Sequence, residues 1–273
     1  MFRGMRCRYP VRTSLLALAL ASCGGPPAVQ IRELHDPVGT ARFDHSSFDA
    51  LLREQVTAEG GFVNYKALRT DSSTLDAYIE SLATAPFGDM GRDEKLAFLL
   101  NAYNAFTLRL IVENKGVDSI TDIPASRRWK AQRWKLAGKI VSLNDIEHRM
   151  VRPAFAEPRI HFALVCAAIG CPPLRAEAYT ADKLELQLAE QTHYVHTHPR
   201  WLVHSLGSGK IGLTQLYKWY GGDFVQVAGS ILEFVAAARP DLAESLGPTD
   251  GSNPPAISWL DYDWSLNSLE NRR

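Results

Sequence analysis

Apolar residues recur with helical spacing along most of the chain, and only a few short segments alternate like strands. This pattern predicts helices over residues 46–56, 72–83, 93–114, 142–151, 180–194, 214–220 and 223–239. Helix-breaking residues end several of them, as Gly116 and Pro240 do. Ser46 with Asp49, and Ser142 with Asp145, have the spacing of capping boxes at helix starts. The chain is therefore predicted to be rich in helix.

Strand signals are shorter and occur in four segments, residues 134–143, 159–166, 201–214 and 257–264. The first and third are predicted hairpins, with turns at Ala137-Gly138 and at Gly207-Ser208-Gly209. Arg159–Cys166 (RIHFALVC) is predicted to be an interior strand, since it is rich in β-branched and aromatic residues. All these elements together predict an α+β fold, in which one helix-rich domain surrounds a modest antiparallel sheet.

The helix predicted over residues 93–114 carries two asparagines in an otherwise apolar stretch. Asn101 and Asn104 lie one turn apart, with Tyr103 between them. An unbonded buried amide costs about 1–3 kcal/mol, so each amide is expected to have a specific partner. Two interpretations stay open: the amides hold a neighbouring loop, or they line a functional site.

The N-terminal segment has the pattern of an export signal. Basic residues precede a short apolar stretch, Ser14–Ala21, that is too short to span a bilayer. The following Leu20–Cys23 matches a lipoprotein signal box. We therefore expect residues 1–22 to be a signal peptide and Cys23 to be lipidated. Residues 23–42 would be a tether, 43–268 the globular domain and 269–273 a polar tail.

Lipidation would anchor the protein in the cell envelope. Gly24 after the lipidated residue favours the outer membrane, facing the periplasm. The 30 basic and 30 acidic side chains cancel, which argues against nucleic acid as a partner. The expected partners are the membrane, through the lipid, and an unknown peptide, cell-wall or small-molecule ligand.

Several segments, read in order, resemble the bacterial members of the domain-of-unknown-function family 547. The motifs are AFLLNAYN (Ala97–Asn104), DIEH (Asp145–His148), RIHFALVC, Cys171-Pro172, WYGGDF (Trp219–Phe224) and YDWSLN (Tyr262–Asn267). The resemblance runs from about residue 43 to 267 and brings no established activity. In plant relatives the position of Cys171 is commonly Ser, which weakens any mechanism that needs both cysteines.

Cysteine chemistry in the mature chain is confined to Cys166 and Cys171. The first hypothesis is a thiol enzyme, a hydrolase or acyl transferase of the papain or transglutaminase type, acting on an amide or ester. Cys166, or else Cys171, would be the nucleophile, and His161 or His148 its base. Asn101, Asn104 or Asp223 would orient the ring. The substrate-binding candidates are Asn104, Tyr103, Arg159, Cys171 and Asp223. In a regular strand, however, His161 and Cys166 would face opposite sides.

Other interpretations of the same residues remain open. A Cys166–Cys171 disulfide is expected of an oxidising compartment, and the domain would then bind or scaffold without catalysis. Arg159 has an alternative as the ion-pair partner of Glu147 or Asp145, and Asp223 as a helix N-cap. Aromatic residues near the C-terminus would line a groove or fill the core. No cofactor is expected, nor a metal site, because the spacing of zinc ligands is missing.

Overall fold

The computed structural model describes residues 39–204, 209–246 and 254–272. The predicted signal peptide, the lipidation site Cys23 and most of the predicted tether lie outside the described residues. So do two residues of the predicted 207–209 turn.

The helices agree largely with the predicted ones. They are α1 (Ser46–Gln55), α2 (Tyr65–Thr70), α3 (Ser73–Ser81), α4 (Arg92–Glu113), α5 (Ala125–Arg128), α6 (Leu143–Asp145), α7 (Leu184–Thr197), α8 (Gln215–Ala228), α9 (Ile231–Ala238) and α10 (Ala243–Leu246). A π-helical segment, Ile146–Val151, continues α6. The capping box that joins Ser142 to Asp145 is confirmed.

The central helix of the fold is α4. It is long and apolar enough to cross a membrane, but 89% of its apolar window is buried in the domain. Helices α2 and α3 and the π-helical segment pack around it. Burial on nearly every side explains why its sequence has no strong polar face.

Two small sheets complete the α+β architecture. Strands β1 (Trp134–Leu136) and β2 (Lys139–Val141) form the predicted hairpin, turning through the positive φ angles of Ala137 and Gly138. The second sheet contains β3 (Leu202–His204), β4 (Lys210–Leu213) and β5 (Ala256–Trp259). Strand β4 lies between its neighbours, antiparallel to β3 and parallel to β5. This sheet is therefore mixed, where the sequence predicted an antiparallel one.

The predicted strand Arg159–Cys166 is wrong. Residues Pro158–Phe162 form a 3₁₀ helix, and an irregular loop follows. Pro158 starts the helix, and the Glu157 side chain accepts the backbone N–H of Arg159. The run is apolar because protein surrounds it, while buried side-chain amides take the backbone hydrogen bonds that a sheet would have supplied.

Ser46 also does not act as predicted. The residue at the start of α1 is His45, and no side-chain cap is found there. The Asp49 carboxylate instead binds Arg53 and accepts the backbone N–H of Ala178. Long-range bonding has replaced the local capping box that the spacing suggested.

Two apolar clusters meet at the 3₁₀ helix. Ile160 and Ala163 belong to the large core around α4, whereas Phe162 belongs to the cluster formed by α8, α9 and the mixed sheet. His161 therefore lies at the boundary between the two apolar clusters. A cavity opens at the same boundary.

Candidate functional site

The cavity between the two apolar clusters has a volume of about 310 Å³. It contains a dense group of aromatic and titratable side chains. The lining residues are Tyr103, Ala125, Trp129, Lys130, Asn144, Glu147, His148, His161, Leu164, Cys166, Cys171, Leu216, Trp219, Tyr220, Tyr262 and Trp264. Predicted site residues from four parts of the sequence are thus brought together.

A buried histidine and a carboxylate form the centre of the polar network. The Asp223 carboxylate accepts a hydrogen bond from His161 Nε2 at 2.8 Å. The same carboxylate accepts two bonds from Arg152, from Nε at 2.7 Å and from Nη2 at 2.9 Å. This bidentate pair fixes the carboxylate, which in turn fixes the histidine ring.

The ring of His161 is held on its face as well as at its edge. It stacks on Tyr220 with a centroid distance of 3.9 Å and an interplanar angle of 16°. Tyr220 has non-helical backbone angles (φ −117°, ψ 17°) where α8 kinks. The kink divides α8 into two helical segments, as the sequence predicted, but the second segment begins directly after Tyr220 and already includes Asp223. Asp223 is therefore not the helix N-cap that its position after two glycines suggested.

Protonation at this pair follows from burial and from the hydrogen bonds. Burial lowers the pKa of His161, although the hydrogen bond to Asp223 acts in the opposite direction. The bond from His161, followed by those from Arg152, holds the pKa of Asp223 well below its ordinary value. The pair is therefore a neutral imidazole and a carboxylate. With its proton on Nε2, His161 has Nδ1 as its basic nitrogen.

The π-helical segment supplies two more polar groups and leads into Arg152. It presents Glu147 and His148 to the cavity, and Arg152 follows directly after it. The wider π-helical turn is accompanied by a hydrogen bond from Arg152 N to the carbonyl oxygen of Glu147 at 3.0 Å. Arg152 Nη1 donates to His148 Nδ1 at 3.0 Å. A guanidinium can only donate, so His148 carries its proton on Nε2.

The two cysteines of the domain form a disulfide, with their Cα atoms 6.4 Å apart. Of the two states that the sequence left open, the structure shows the bridged one. The Tyr262 hydroxyl lies 3.2 Å from Cys166 Sγ and 3.0 Å from Cys171 Sγ. Cys166 is partly exposed and Cys171 is buried, so Cys166 is the more accessible sulfur.

The loop that carries the cysteines is fixed from both sides. Asn104 of α4 donates to the Ala163 carbonyl oxygen and accepts the N–H of Val165, each at 3.0 Å. After Cys166 the backbone enters the left-handed region at Ala167, with φ of 61°. For a residue with a side chain this conformation is unfavourable, and such positions cluster at functional sites.

Gly170 allows the C-terminal segment to approach this loop. A Cβ at this position would lie 2.9 Å from the backbone nitrogen of Asp263 and 2.9 Å from the Tyr262 ring. Its carbonyl oxygen accepts the indole N–H of Trp201 at 2.9 Å. The absence of a side chain here is what brings Tyr262 against the sulfurs.

The remaining predicted site residues lie elsewhere. Asn101 does not line the cavity: its side-chain amide forms two hydrogen bonds with the backbone of Tyr179. Asn104 also lies behind the cavity, bonded to the cysteine loop. The structure thus shows both amides holding loops, which was the alternative to lining a site. Arg159 forms ion pairs with Glu157 and Glu185, not with the predicted carboxylates, and it does not line the cavity.

Several site residues were not predicted from the sequence to have a role. Arg152 had no motif of its own, and Glu147 was considered only as a partner of Arg159. The aromatic residues for which the sequence left groove and core open are Trp219, Tyr220, Trp259, Tyr262 and Trp264. All except Trp259 line the cavity, and Trp259 packs against the cluster of α8, α9 and the mixed sheet. Their signal was composition: many large aromatic residues close together in two of the motifs, without the apolar spacing of a core helix.

The described ranges contain no group of three or more His, Cys, Asp and Glu side chains placed to hold a metal ion. His196, for example, is used within the fold. Its Nδ1 donates to the Thr192 carbonyl oxygen at 2.6 Å and its Nε2 lies 2.5 Å from the Tyr217 hydroxyl.

Comparison with protein families supports the resemblance seen in the motifs. A family model described as "Protein of unknown function, DUF547" matches residues 87–194. The matched region contains α4, the π-helical segment, His161 and both cysteines of the domain. Asp223 and the C-terminal aromatic residues lie beyond it. No curated protein and no solved structure matches the chain.

Proposed function

We propose that the domain is a thiol-dependent hydrolase or acyl transferase, with Cys166 as nucleophile and His161 as its base. The observation that supports this is the 2.8 Å bond between His161 Nε2 and Asp223, in a cavity that Cys166 also lines. A histidine oriented by a carboxylate and a cysteine in the same cavity are the groups that nucleophilic thiol catalysis requires. Of the three orienting candidates from the sequence, Asp223 is the one that this proposal uses.

The reaction begins with the reduced cysteine. The Cys166 thiol transfers its proton to Nδ1 of His161, while Asp223 holds the opposite nitrogen of the ring and stabilises the imidazolium. The thiolate attacks the carbonyl carbon of an amide or ester. The bond to the leaving group breaks, and that group takes the proton from His161. Water or an amine then accepts the acyl group from the thioester and regenerates the thiol.

The disulfide is the resting state in this proposal. A bridged Cys166 has no lone thiolate, so an external dithiol must first reduce the bond and itself become a disulfide. Cys171 is released as a buried thiol beside Tyr262. The reaction itself does not use Cys171, which agrees with the resemblance to relatives that have Ser at this position.

An acyl-trapping experiment tests the proposal directly. The full chain is reduced with a dithiol, treated with p-nitrophenyl acetate and digested, and the modified peptide is identified by mass spectrometry. We expect a single acetyl group on Cys166 in the parent and in Cys171→Ser, and none in Cys166→Ser. Equal labelling of reduced and unreduced protein, or no acetyl group on Cys166, would contradict the thiol mechanism.

A second candidate is a ligand-binding or scaffold domain in which the disulfide is permanent. The observation that favours it is the bridge itself, enclosed by the Tyr262 hydroxyl at 3.2 and 3.0 Å from the two sulfurs. A permanent bridge would resist mild dithiol treatment of the folded protein. Peptide mapping of Cys166 and Cys171 after such treatment distinguishes the two candidates.

The proposed location is the cell envelope, with the protein anchored by lipid on Cys23 and facing the periplasm from the outer membrane. The basic and apolar N-terminal segment and the Leu20–Cys23 box support it. Attached acyl chains would hold the protein on the membrane without a spanning helix. Cys23→Ser should move the protein from the membrane fraction to the soluble fraction, and unchanged sedimentation with membranes would refute the anchor.

A further inference from the structure

The cavity contains a buried carboxylate that the proposed thiol mechanism does not use. Glu147 is only 8% exposed and lies on the cavity wall. Its Oε2 accepts a hydrogen bond from the Tyr103 hydroxyl at 3.3 Å. Burial and, after it, the nearby Glu147 raise the pKa of Tyr220. The Tyr103 hydroxyl thus holds the carboxylate in place without supplying a positive charge.

The guanidinium group near Glu147, that of Arg152, is already bound to other side chains. Arg152 uses Nε and Nη2 on Asp223 and Nη1 on His148, although its charge also acts on Glu147. His148 Nδ1 lies 3.9 Å from Glu147 but accepts the bond from Arg152, so it carries no proton there. Two carboxylates therefore share one guanidinium.

Of the two carboxylates, Asp223 is the one that Arg152 binds, and Glu147 is bound by the Tyr103 hydroxyl. A buried charge of this kind is costly unless a partner of opposite sign is supplied. Lys130 also lines the cavity, but its side chain is exposed, at the rim. A flexible exposed ammonium group contributes little to a buried carboxylate.

The remaining walls are aromatic. Trp219, Tyr262 and Trp264 pack against one another with centroid distances of 4.9, 5.9 and 4.6 Å. Trp129 contacts this cluster, 6.4 Å from Trp264. Trp219 remains 45% exposed, unusual for a large aromatic residue that only fills a core. Aromatic faces attract cations through their quadrupole, most strongly when the cation is removed from water.

We infer that the cavity binds an alkylammonium group of the substrate, with Glu147 as its counter-ion and the tryptophan and tyrosine rings as its walls. The ammonium site deepens the proposed function by naming a substrate class. It rests on that function only for the reaction that the bound substrate undergoes. The substrate class it names is an amide or ester, or an acyl acceptor, that carries a free amino or quaternary ammonium group close to the reacting carbonyl.

The test measures binding and not turnover. The full chain, unreduced, is titrated with n-butylammonium chloride and with its neutral analogue n-butanol, and separately with choline and its neutral analogue 3,3-dimethylbutan-1-ol. Binding is followed by isothermal calorimetry and by tryptophan fluorescence, since Trp129, Trp219 and Trp264 line the cavity. We expect each cation to bind at least about tenfold more tightly than its neutral analogue. The pair with the larger ratio of cation affinity to neutral-analogue affinity shows whether the site prefers a primary ammonium or a quaternary ammonium group.

Two variants identify the site. Glu147→Gln keeps the size of the side chain and its acceptor oxygen but removes the charge, so it should abolish the preference for the cation. Glu80→Gln, an exposed carboxylate on α3, is the matched control and should bind as the parent does. Lys130→Met should leave cation binding equal or stronger, because it removes a competing positive charge.

The outcomes separate this inference from the thiol mechanism. Equal binding of cation and neutral analogue by the parent overturns the inference, whatever the behaviour of Cys166. The same conclusion follows from an unchanged preference in folded Glu147→Gln. Preferential cation binding in a protein whose Cys166 cannot be acylated would sustain the ammonium site and reject the thiol mechanism. The comparison of ligands on the parent needs no variant, so it stands even if Glu147→Gln fails to fold.

Discussion

Asp223 and His161 lie 62 positions apart in the sequence, yet Asp223 Oδ2 accepts the Nε2–H of His161 at 2.8 Å. The bond joins α8 of one apolar cluster to the 3₁₀ helix that borders the other. It determines which nitrogen of His161 carries the proton. Nδ1 is then the basic nitrogen of the ring, and the proposed chemistry depends on its taking the proton of reduced Cys166.

Replacing either buried amide of α4, Asn101 or Asn104, should lower the stability of the domain by a similar amount. Asn104→Leu removes the hydrogen bonds to Ala163 and Val165, and Asn101→Leu those to Tyr179. Each change leaves buried backbone groups without partners, so each should lower the free energy of unfolding by about 1–3 kcal/mol. Urea denaturation of the two variants measures this effect.

The difference between them lies in the cysteine loop. Only Asn104 holds the segment that leads into Cys166, so only Asn104→Leu should change the alkylation rate of reduced Cys166. Asn101→Leu is its matched control, because it removes the same number of buried side-chain hydrogen bonds from the same helix. Parent-like stability of both variants would mean that these amides do not hold the loops.

Much of the fold could be predicted because local patterns determine it. The apolar run of α4, the Ala137-Gly138 turn and the Ser142–Asp145 capping box all depend on residues close in sequence. The strand predicted over Arg159–Cys166 failed because its backbone is bonded by Asn104 and other distant side chains. Nothing local in that segment distinguishes burial in a sheet from burial among helices.

The candidate site was predictable in its residue types and less so in its pairings. Cys166, Cys171, His161 and His148 do line one cavity. Asp223 was one of three candidates for orienting the histidine, but the two glycines before it also suggested a helix N-cap. The helical segment that follows the kink at Tyr220 already includes those glycines. Arg152 was missed because its role depends on a π-helical turn that brings it to the cavity, and no spacing rule for a regular helix predicts that.

Gly170→Ala should disturb the site from its outer side. The added methyl group would meet the backbone of Asp263 and the ring of Tyr262 at 2.9 Å, so the C-terminal segment must shift. We expect a loss of about 1–3 kcal/mol in the free energy of unfolding. Gly88→Ala is the control, because a Cβ at that position meets no atom within 4 Å. If both variants have the parent's free energy of unfolding, the position of the C-terminal segment does not depend on a glycine at residue 170.

Stability should fall as the pH drops from about 6.5 to about 4. Burial lowers the pKa of His45 and of His196 to about 4 from 6.5. Between these values the unfolded chain binds protons that the folded chain excludes. The free energy of unfolding should therefore decrease with falling pH, by up to about 1.4 kcal/mol per pH unit for each histidine. Asp223, whose lowered pKa starts from 3.8, contributes only below this window.

Urea denaturation at pH 7 and pH 5 checks this expectation. His196→Gln should reduce the change in the free energy of unfolding per pH unit by the contribution of one histidine, up to about 1.4 kcal/mol. His193 is exposed on the same helix, so His193→Gln is the control and should show the parent's pH dependence. A free energy of unfolding that is equal at both pH values would show that neither buried histidine is held neutral by the fold.

The central claim is that His161, oriented by Asp223, activates Cys166, and the pH dependence of Cys166 alkylation tests it most directly. The full chain is reduced with a dithiol, exchanged out of it, and treated with iodoacetamide at pH 6 and pH 8, and the labelled peptide is quantified by mass spectrometry. We predict that Cys166 reacts at pH 6 at least about tenfold faster than a free model thiol, and that His161→Gln and Asp223→Asn each remove this excess while the domain stays folded. A Cys166 rate equal to that of the model thiol at both pH values, unchanged by either substitution, would contradict the account.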